Sequence, residues 1–284
     1  MSILLLGGTG FIGSELRKSL LKNKIKLISP TKNRLNLKET KKIINYVLRK
    51  KITMIINLAG ISEVIKNNES QYLNLNLIKV ENLLRYLVKI KFTGKFIQMS
   101  SAYVYAPNGN TNESSKPTPQ NYYALCKLCL DNIIEYYSKD LNCLSLRLFN
   151  IIGKQQKSRY LIPSIIRQIK NKNSNEIILN DIKSKRDFSD LRDLCNFLIF
   201  IYNYKYKLEP IINFSSGKSY SIKKIVKIMQ KLARSTKKIN GNNAIKIPTS
   251  NYFSKPHKLK KMGFKHKYSL RTTLRDILEK HNVI

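Results

Sequence analysis

Tyr123 and Lys127 stand four residues apart in "YYALCK", and Ser101 precedes them in "SSAYVY". If the first stretch is helical, residues at that spacing lie one turn apart on the same face, so a phenol and an ammonium become neighbours. A free tyrosine titrates near pKa ~10, and an adjacent positive charge lowers that value towards the working pH, which makes the phenol a usable general acid and base. The spacing alone recurs by chance. Ser101 gives it content, because its hydroxyl can donate a hydrogen bond to a substrate carbonyl or hydroxyl oxygen at the end of the preceding strand.

A second chemistry-bearing stretch opens the chain: "MSILLLGGTGFIG", with Gly7, Gly10 and Gly13 in the spacing GxxGxxG. An apolar strand running into a glycine turn and then a helix is the construction of a nucleotide pyrophosphate site. Gly7 permits the turn, Gly10 lets the backbone approach the pyrophosphate, and Gly13 allows close packing of helix on strand. The helix N-terminus meanwhile faces the phosphate charge. The second strand ends in "LISPTKNRLNL", where an NAD-preferring site commonly places Asp or Glu against the ribose 2′-hydroxyl. No acid stands there. Thr31, Lys32 and Arg34 suit a 2′-phosphate instead, which points to NADP, with NAD as the alternative.

These side chains must be carried by a regular frame. The first half alternates apolar runs with amphipathic ones. It predicts strands near Ile3–Leu6, Lys26–Ser29, Met54–Leu58, Phe96–Ser100 and Cys143–Leu148, and helices near Phe11–Lys22, Lys38–Arg49, Gln71–Ile90 and Tyr123–Tyr137. The expected fold class is α/β: a Rossmann-type doubly wound parallel sheet with right-handed crossovers, ligands lying at the carboxyl ends of the strands. After Asn150 the rhythm changes. Residues 1–150 read as a dinucleotide-binding domain and 151–284 mainly as a smaller C-terminal substrate-binding lobe, with segments around 186–213 returning to the sheet.

Composition bounds the rest. The chain has 284 residues, 42% of them hydrophobic, enough for a sizeable core. Its formal net charge is +36, from 53 Lys and Arg against 17 Asp and Glu. The Lys residues are scattered among Ile, Asn and Leu along the whole chain, a pattern that fits solvated surface better than a nucleic-acid footprint. No specific nucleic acid and no membrane is expected as partner. No targeting segment fits ahead of Gly7, and the run Leu194 to Tyr204 is far short of a membrane span, so a cytoplasmic protein is expected. Cys126 and Cys129 form a lone "CKLC", and His257, His266 and His281 lie near the C-terminus, so neither a disulfide framework nor a metal site is expected.

Taken in order, these motifs resemble the extended short-chain dehydrogenases/reductases, in the NAD-dependent epimerase/dehydratase branch that modifies nucleotide sugars. "GGTGFIG" is similar to that family's cofactor loop, "SSAYVY" to its serine motif and "YYALCK" to its tyrosine and lysine motif. Asn76 with Asn82 resembles its helix motif below the active site. "RLFNIIG" resembles the strand leading into the substrate lobe, "KRDFSDLRDL" its RDF segment, "INFSSGKSYSI" its late glycine turn and "LKKMGFKHKYSL" its closing helix and turn. The resemblance implies hydride chemistry on a sugar carbon: Tyr123 moves the proton on that carbon's oxygen, Lys127 holds the cofactor ribose and tunes Tyr123, and Ser101 orients the oxygen. Phe11, Ile12, Leu58 and Ala59 join the cofactor set, and Ala102, Tyr103, Asn150 and Arg186 the substrate set, Arg186 meeting the nucleotide diphosphate.

Departures narrow the choice. The 4,6-dehydratases carry an acidic pair where Ala102 and Tyr103 stand, and the GDP-fucose synthases carry a cysteine at Tyr103 and a histidine where Lys154-Gln155 follow Gly153. A 4-keto reductase is the main expectation, and a 4-epimerase with tightly bound NAD the alternative. A homodimer is compatible with either. A non-catalytic cofactor- or RNA-binding protein is a third reading, supported only by the positive charge.

Overall fold

The computed structural model describes residues 2–31, 33–61, 69–241 and 249–284. In chain order, β1 (Ser2–Leu6), α1 (Phe11–Lys22), β2 (Lys26–Ile28), α2 (Thr40–Arg49) and β3 (Ile52–Asn57) lead to α3 (Glu69–Gln71). A π-helical stretch (Tyr72–Ile78) continues it into α4 (Lys79–Lys89), followed by β4 (Lys95–Ser101), α5 (Tyr122–Tyr137), β5 (Asn142–Leu148), β6 (Asn150–Ile152) and α6 (Leu161–Lys170). Then come β7 (Glu176–Leu179), β8 (Lys185–Asp190), α7 (Leu191–Asn203), β9 (Ile211–Phe214), β10 (Ser219–Ser221), α8 (Ile222–Ala233), β11 (Lys238–Gly241), α9 (His257–Lys261) and α10 (Leu270–Lys280).

Six strands form the main sheet in the order β2-β1-β3-β4-β5-β9, every pairing parallel. Such a sheet is covered on both faces, which is why β1 is buried at every position and reads as an unbroken apolar run. One face packs Leu16 and Leu20 of α1 and Leu194, Phe197, Leu198 and Ile201 of α7 against the strands. The other receives α2, α4 and α5 through residues such as Ile43, Val47, Leu83, Leu87, Leu130 and Ile134. The strand order reverses beside β1, so the crevice at the carboxyl ends of β1 and β3 is the switch point where such folds take ligands.

Lys95, at the start of β4, ties these layers together. Its Nζ donates to the carbonyls of Ile201 (2.6 Å), Tyr202 (3.1 Å) and Tyr204 (2.5 Å) at the end of α7, where the Ile201 carbonyl also accepts from the Tyr204 amide (3.2 Å). A separate core of Ile162, Ile165, Ile177, Phe188, Ile225, Met229, Leu274 and Ile277 joins α6, α8 and α10 to β7 and β8 beside the sheet. Small sheets β10-β8-β6 and β11-β7 edge this core. No helix among the described residues is long and apolar enough to cross a membrane.

The helix expected over Gln71–Ile90 is interrupted by the π-helical stretch, whose wider spacing appears in the bond from the Lys79 amide to the Asn74 carbonyl. Tyr72 and Asn76 are the residues this stretch buries. Asn76 then clamps one residue in both directions: its Oδ1 accepts from the Ile61 amide (2.8 Å) and its Nδ2 donates to the Ile61 carbonyl (2.9 Å). The widened turn thus fixes the segment that follows β3.

Candidate active site

The glycine loop is shaped by close backbone contacts. Gly7 has φ +78°, and a Cβ there would lie 2.7 Å from the Ala59 amide nitrogen, so both its conformation and its packing demand glycine. A Cβ at Gly13 would lie 2.4 Å from the Gly7 carbonyl oxygen. Gly10 differs: it has φ −74°, and among the described residues a Cβ there would meet only the Gly7 carbonyl oxygen, at 3.5 Å. The described residues leave that face open. Gly10 is the N-cap of α1 without a side-chain cap, so the first-turn amides of Phe11, Ile12 and Gly13 have no intrahelical acceptor and offer donors to an anion. These residues fit a dinucleotide pyrophosphate.

Phe11 and Ile12 also pack against the core beneath α1. Leu58 and Ala59 close the other side of the loop, the Leu58 amide donating to Leu6 O (2.9 Å) and the Ala59 amide to Asn57 Oδ1 (3.1 Å). Asn57 is itself pinned through its Nδ2 to Gln98 Oε1 (2.7 Å). Thr31 and Arg34 are exposed in a turn, with the Thr31 carbonyl accepting from the Arg34 and Leu35 amides, both at 3.0 Å. Lys32 lies outside the described residues. Nearby, the Ser29 hydroxyl is buried with no hydrogen-bond partner among the described residues, and its Oγ lies against the position a Cβ would take on Gly8.

The Ser, Tyr and Lys expected to act together do meet. Ser101 ends β4, and its Oγ accepts from the Tyr103 amide (3.2 Å), capping a short 3₁₀ turn over Ala102–Val104. Asn121 caps α5 by accepting from the Ala124 amide (2.9 Å), which sets Tyr123 in the first turn with Lys127 one turn on. Both are buried, at 6% exposure each. Lys127 Nζ donates to the Met99 carbonyl (2.8 Å) and lies 5.8 Å from the centre of the Tyr123 ring.

The electrostatics differ from the expectation that Lys127 lowers the Tyr123 pKa. Burial pushes the phenol well above its ordinary value, and the Ser101 hydroxyl acts against that rise. The same burial pushes Lys127 down to about 8, with Asp131 and Cys126 acting the other way. Enclosure thus disfavours charge on both groups, and the Lys127 ammonium is directed at Met99 rather than at the phenol oxygen.

Tyr103, Asn150 and Arg186 line a cleft of about 400 Å³, together with Gln156, Arg159 and Tyr160. Tyr103 meets Tyr123 edge-on, with ring centres 6.5 Å apart, and Tyr252 at 4.8 Å. Ala102 is buried at the base of this group, in an apolar cluster with Phe149 and Tyr252. Asn150 Nδ2 donates to the Asp187 carbonyl (2.9 Å). The Arg186 guanidinium lies 5.4 Å from the centre of the Tyr252 ring and donates to the Ser250 carbonyl and to Ser250 Oγ (2.8 Å). The acids beside it in sequence are engaged elsewhere. Asp187 accepts from the amides of Ser216 and Gly217, and Asp190 from Arg192 and Thr273. Asn82 stands apart from the cleft, accepting from Arg85 (2.7 Å) on the exposed side of α4.

Sequence reasoning missed Tyr252, Ser250 and Tyr72. Tyr252 and Ser250 reach Arg186 from more than sixty residues away, through a backbone bridge between Arg186 and Tyr252 that no local pattern announces. Tyr72 packs edge-on against Tyr123 at 5.7 Å, and its only signal was a large aromatic ring on a helix otherwise rich in Asn and Leu.

Comparison with known proteins adds the lineage. Residues 3–222 match the model of the NAD dependent epimerase/dehydratase family. The chain belongs to that family. It is an enzyme, and NAD(P) is its cofactor class. A GDP-6-deoxy-D-talose 4-dehydrogenase of Aggregatibacter actinomycetemcomitans is 28% identical over 249 residues, covering 85% of this chain and 83% of the relative. Among solved structures, the RMD protein of Pseudomonas aeruginosa complexed with NADPH superposes with a TM-score of 0.85 at 24% identity, over 98% of both chains. The UDP-glucose 4-epimerase of Thermus thermophilus in complex with NAD gives 0.82 at 18% identity, over 99% of both.

Proposed function

We propose that this family member reduces a 4-keto sugar carried on a nucleoside diphosphate, with NADPH as the preferred cofactor. The observation that carries the reading is the convergence of Ser101, Tyr123 and Lys127 at the carboxyl end of β4, beside a cleft that also exposes Tyr103, Asn150 and Arg186. The Tyr123 ring is enclosed by Tyr103 and Tyr72, with ring centres 6.5 and 5.7 Å away. Ala102 and Tyr103 stand where, by the family resemblance, the 4,6-dehydratases carry an acidic pair. Reduction needs one proton delivered to one oxygen, and the trio supplies that.

When bound, the nicotinamide supplies the hydride. Phe11, Ile12 and Gly13 would hold the pyrophosphate with their amides, Leu58 and Ala59 would flank it, and Thr31, Lys32 and Arg34 would meet the ribose end. Ser101 and Tyr123 orient the substrate oxygen, and Tyr123 gives it a proton as charge develops there. The phenol is protonated at neutral pH, as the acid of the reductive direction must be, while its burial holds the proton more tightly than an exposed tyrosine would. Lys127, one turn on and donating to the Met99 carbonyl, would hold the cofactor ribose. Arg186 offers a planar fork to the diphosphate, and its contact with Tyr252 keeps it at the cleft edge.

The 4-dehydrogenase relative acts, by its name, at the same sugar position, which supports carbon 4 as the reacting centre. The epimerase neighbour supports the second reading, a 4-epimerase retaining NAD. Incubating the purified protein with NADPH and a panel of 4-keto-6-deoxy sugars on GDP, UDP, dTDP and CDP, with products identified by NMR, separates the two. Net NADPH consumption supports reduction. Interconversion of 4-hydroxy sugars without net consumption, by protein that carries NAD from purification, would replace it with epimerisation.

A further inference from the structure

Lys127 is enclosed by protein, and the groups around it are unevenly charged. On α5 it has Tyr123 and Cys126 beside it and Asp131 one turn on. From β4 the Met99 carbonyl accepts from it, and from the π-helical stretch Tyr72 lies across Tyr123. On β5 the nearest ion is Arg147, whose Nε donates to Asp131 Oδ2 at 2.7 Å. Asp131 is fully buried and its other oxygen accepts from Ser145 Oγ at 2.5 Å. Arg147 continues through Tyr105 Oη (2.7 Å) to Asn213 Oδ1 (2.9 Å), and Asn213 Nδ2 donates to Ser254 Oγ (3.1 Å). One buried carboxylate therefore stands between two buried cations.

We propose that Asp131 is a positioning residue for the reaction: its carboxylate, held by Ser145 and Arg147, keeps Lys127 in the ammonium form that holds the cofactor ribose. The inference rests on the cofactor reading given above. A simple structural pair would need only Arg147 and Asp131. The placement of Asp131 one turn from Lys127, on the same helix face, lets its charge act on the lysine without contacting it. Burial pushes Lys127 down towards the neutral amine, and the Asp131 charge is the foremost of the groups that oppose it. With Lys127 titrating at about 8, the ammonium form leads at neutral pH by a narrow margin, and loss of the neighbouring carboxylate would remove it.

The test is the pH dependence of NADPH binding, followed by the cofactor's own fluorescence from pH 6 to 9.5, with thermal melting as a check on folding. In the wild type, affinity should fall about fivefold across an alkaline limb as the charge-assisted bond becomes a neutral one. Asp131→Asn should move the midpoint of that limb down by about one pH unit or more. Arg147→Gln should move it up, because a competing cation is removed while the carboxylate stays. Replacing Lys127 with Arg in the Asp131→Asn background should abolish the limb, since arginine does not titrate there. Both single substitutions break the buried pair and should lower the melting temperature, so a purely structural role shifts both profiles alike. Midpoints that stay fixed or move together in the folded variants would overturn the proposal, as would a wild type that binds NADPH with no alkaline limb. If either variant fails to fold, the sign of the other's shift still decides. Failure of the wild type to bind NADPH or NADH at any pH would instead sink the cofactor reading, and this inference with it.

Discussion

Replacing Gly10 and Gly13 one at a time separates what the loop does for the fold from what it does for the cofactor. At Gly13 an added Cβ would sit 2.4 Å from the Gly7 carbonyl oxygen and 2.7 Å from the Gly8 Cα, both backbone atoms that cannot step aside singly. Gly13→Ala should therefore cost about 1–3 kcal/mol, the usual range for overpacking a tight site. At Gly10 the nearest atom would be 3.5 Å away and φ is −74°, which alanine adopts freely. Its smaller unfolded-state entropy roughly offsets the poorer N-cap, so Gly10→Ala should change stability by less than about 1 kcal/mol. The methyl would nonetheless occupy the open face of the loop. If a pyrophosphate lies there, losing one charge-assisted bond of about 1.5–3 kcal/mol should weaken NADPH roughly 10- to 150-fold. Urea melts and fluorescence titrations of the two variants measure the two effects. Wild-type NADPH affinity in Gly10→Ala would show that the open face is not where the pyrophosphate binds, whatever the melts showed.

Four further substitutions probe the site and its frame. Arg186→Lys should raise KM for the nucleotide sugar while leaving NADPH affinity unchanged, because a point charge cannot reproduce the guanidinium fork; steady-state kinetics with independent cofactor titration checks it. Replacing Lys32 and Arg34 together with Ala should weaken NADPH more than NADH, and equal affinity of the wild type for both would refute the preference. Lys95→Met should cost about 1–3 kcal/mol in urea melts, since the Tyr202 and Tyr204 carbonyls at the end of α7 lose the Lys95 ammonium as donor. Burial pushes Asp187 up to about 6, against the amides of Ser216 and Gly217 that favour its charge. A carboxyl raised on folding binds more protons in the native state, so its contribution is fullest below its unfolded value and is lost as pH rises through about 6. The melting temperature of Asp187→Asn relative to wild type should therefore be more favourable at pH 7 than at pH 4.5.

Residues that act through local spacing were legible before the structure. The β1 run, the glycine turn and α1 follow from periodicity, and the pairing of Tyr123 with Lys127 follows from helical spacing once Asn121 caps α5. Ser101 could be placed because β4 is a parallel strand whose carboxyl end is the functional edge of such a sheet. What periodicity could not supply were contacts closed by long loops. Lys95 lies at a strand start like any exposed lysine in the sequence, yet it caps α7 across more than a hundred residues. Ser250 and Tyr252 hold Arg186 by a bridge between distant segments, and the π-helical turn at Tyr72 looks in sequence like ordinary helix. Electrostatics was the least legible of all. Spacing placed an ammonium near a phenol, but which effect governed the phenol depended on burial, and burial won.

The central claim is that Tyr123 delivers the proton as hydride reaches a sugar carbonyl, and Tyr123→Phe tests it most directly. The ring and its packing against Tyr72 and Tyr103 are retained, so the variant should melt like the wild type and bind NADPH unchanged. With the nucleotide-linked 4-keto sugar that the wild type reduces, single-turnover loss of NADPH absorbance should slow by about 100-fold or more. A folded, cofactor-binding Tyr123→Phe that oxidises NADPH on that sugar at the wild-type rate would contradict the account.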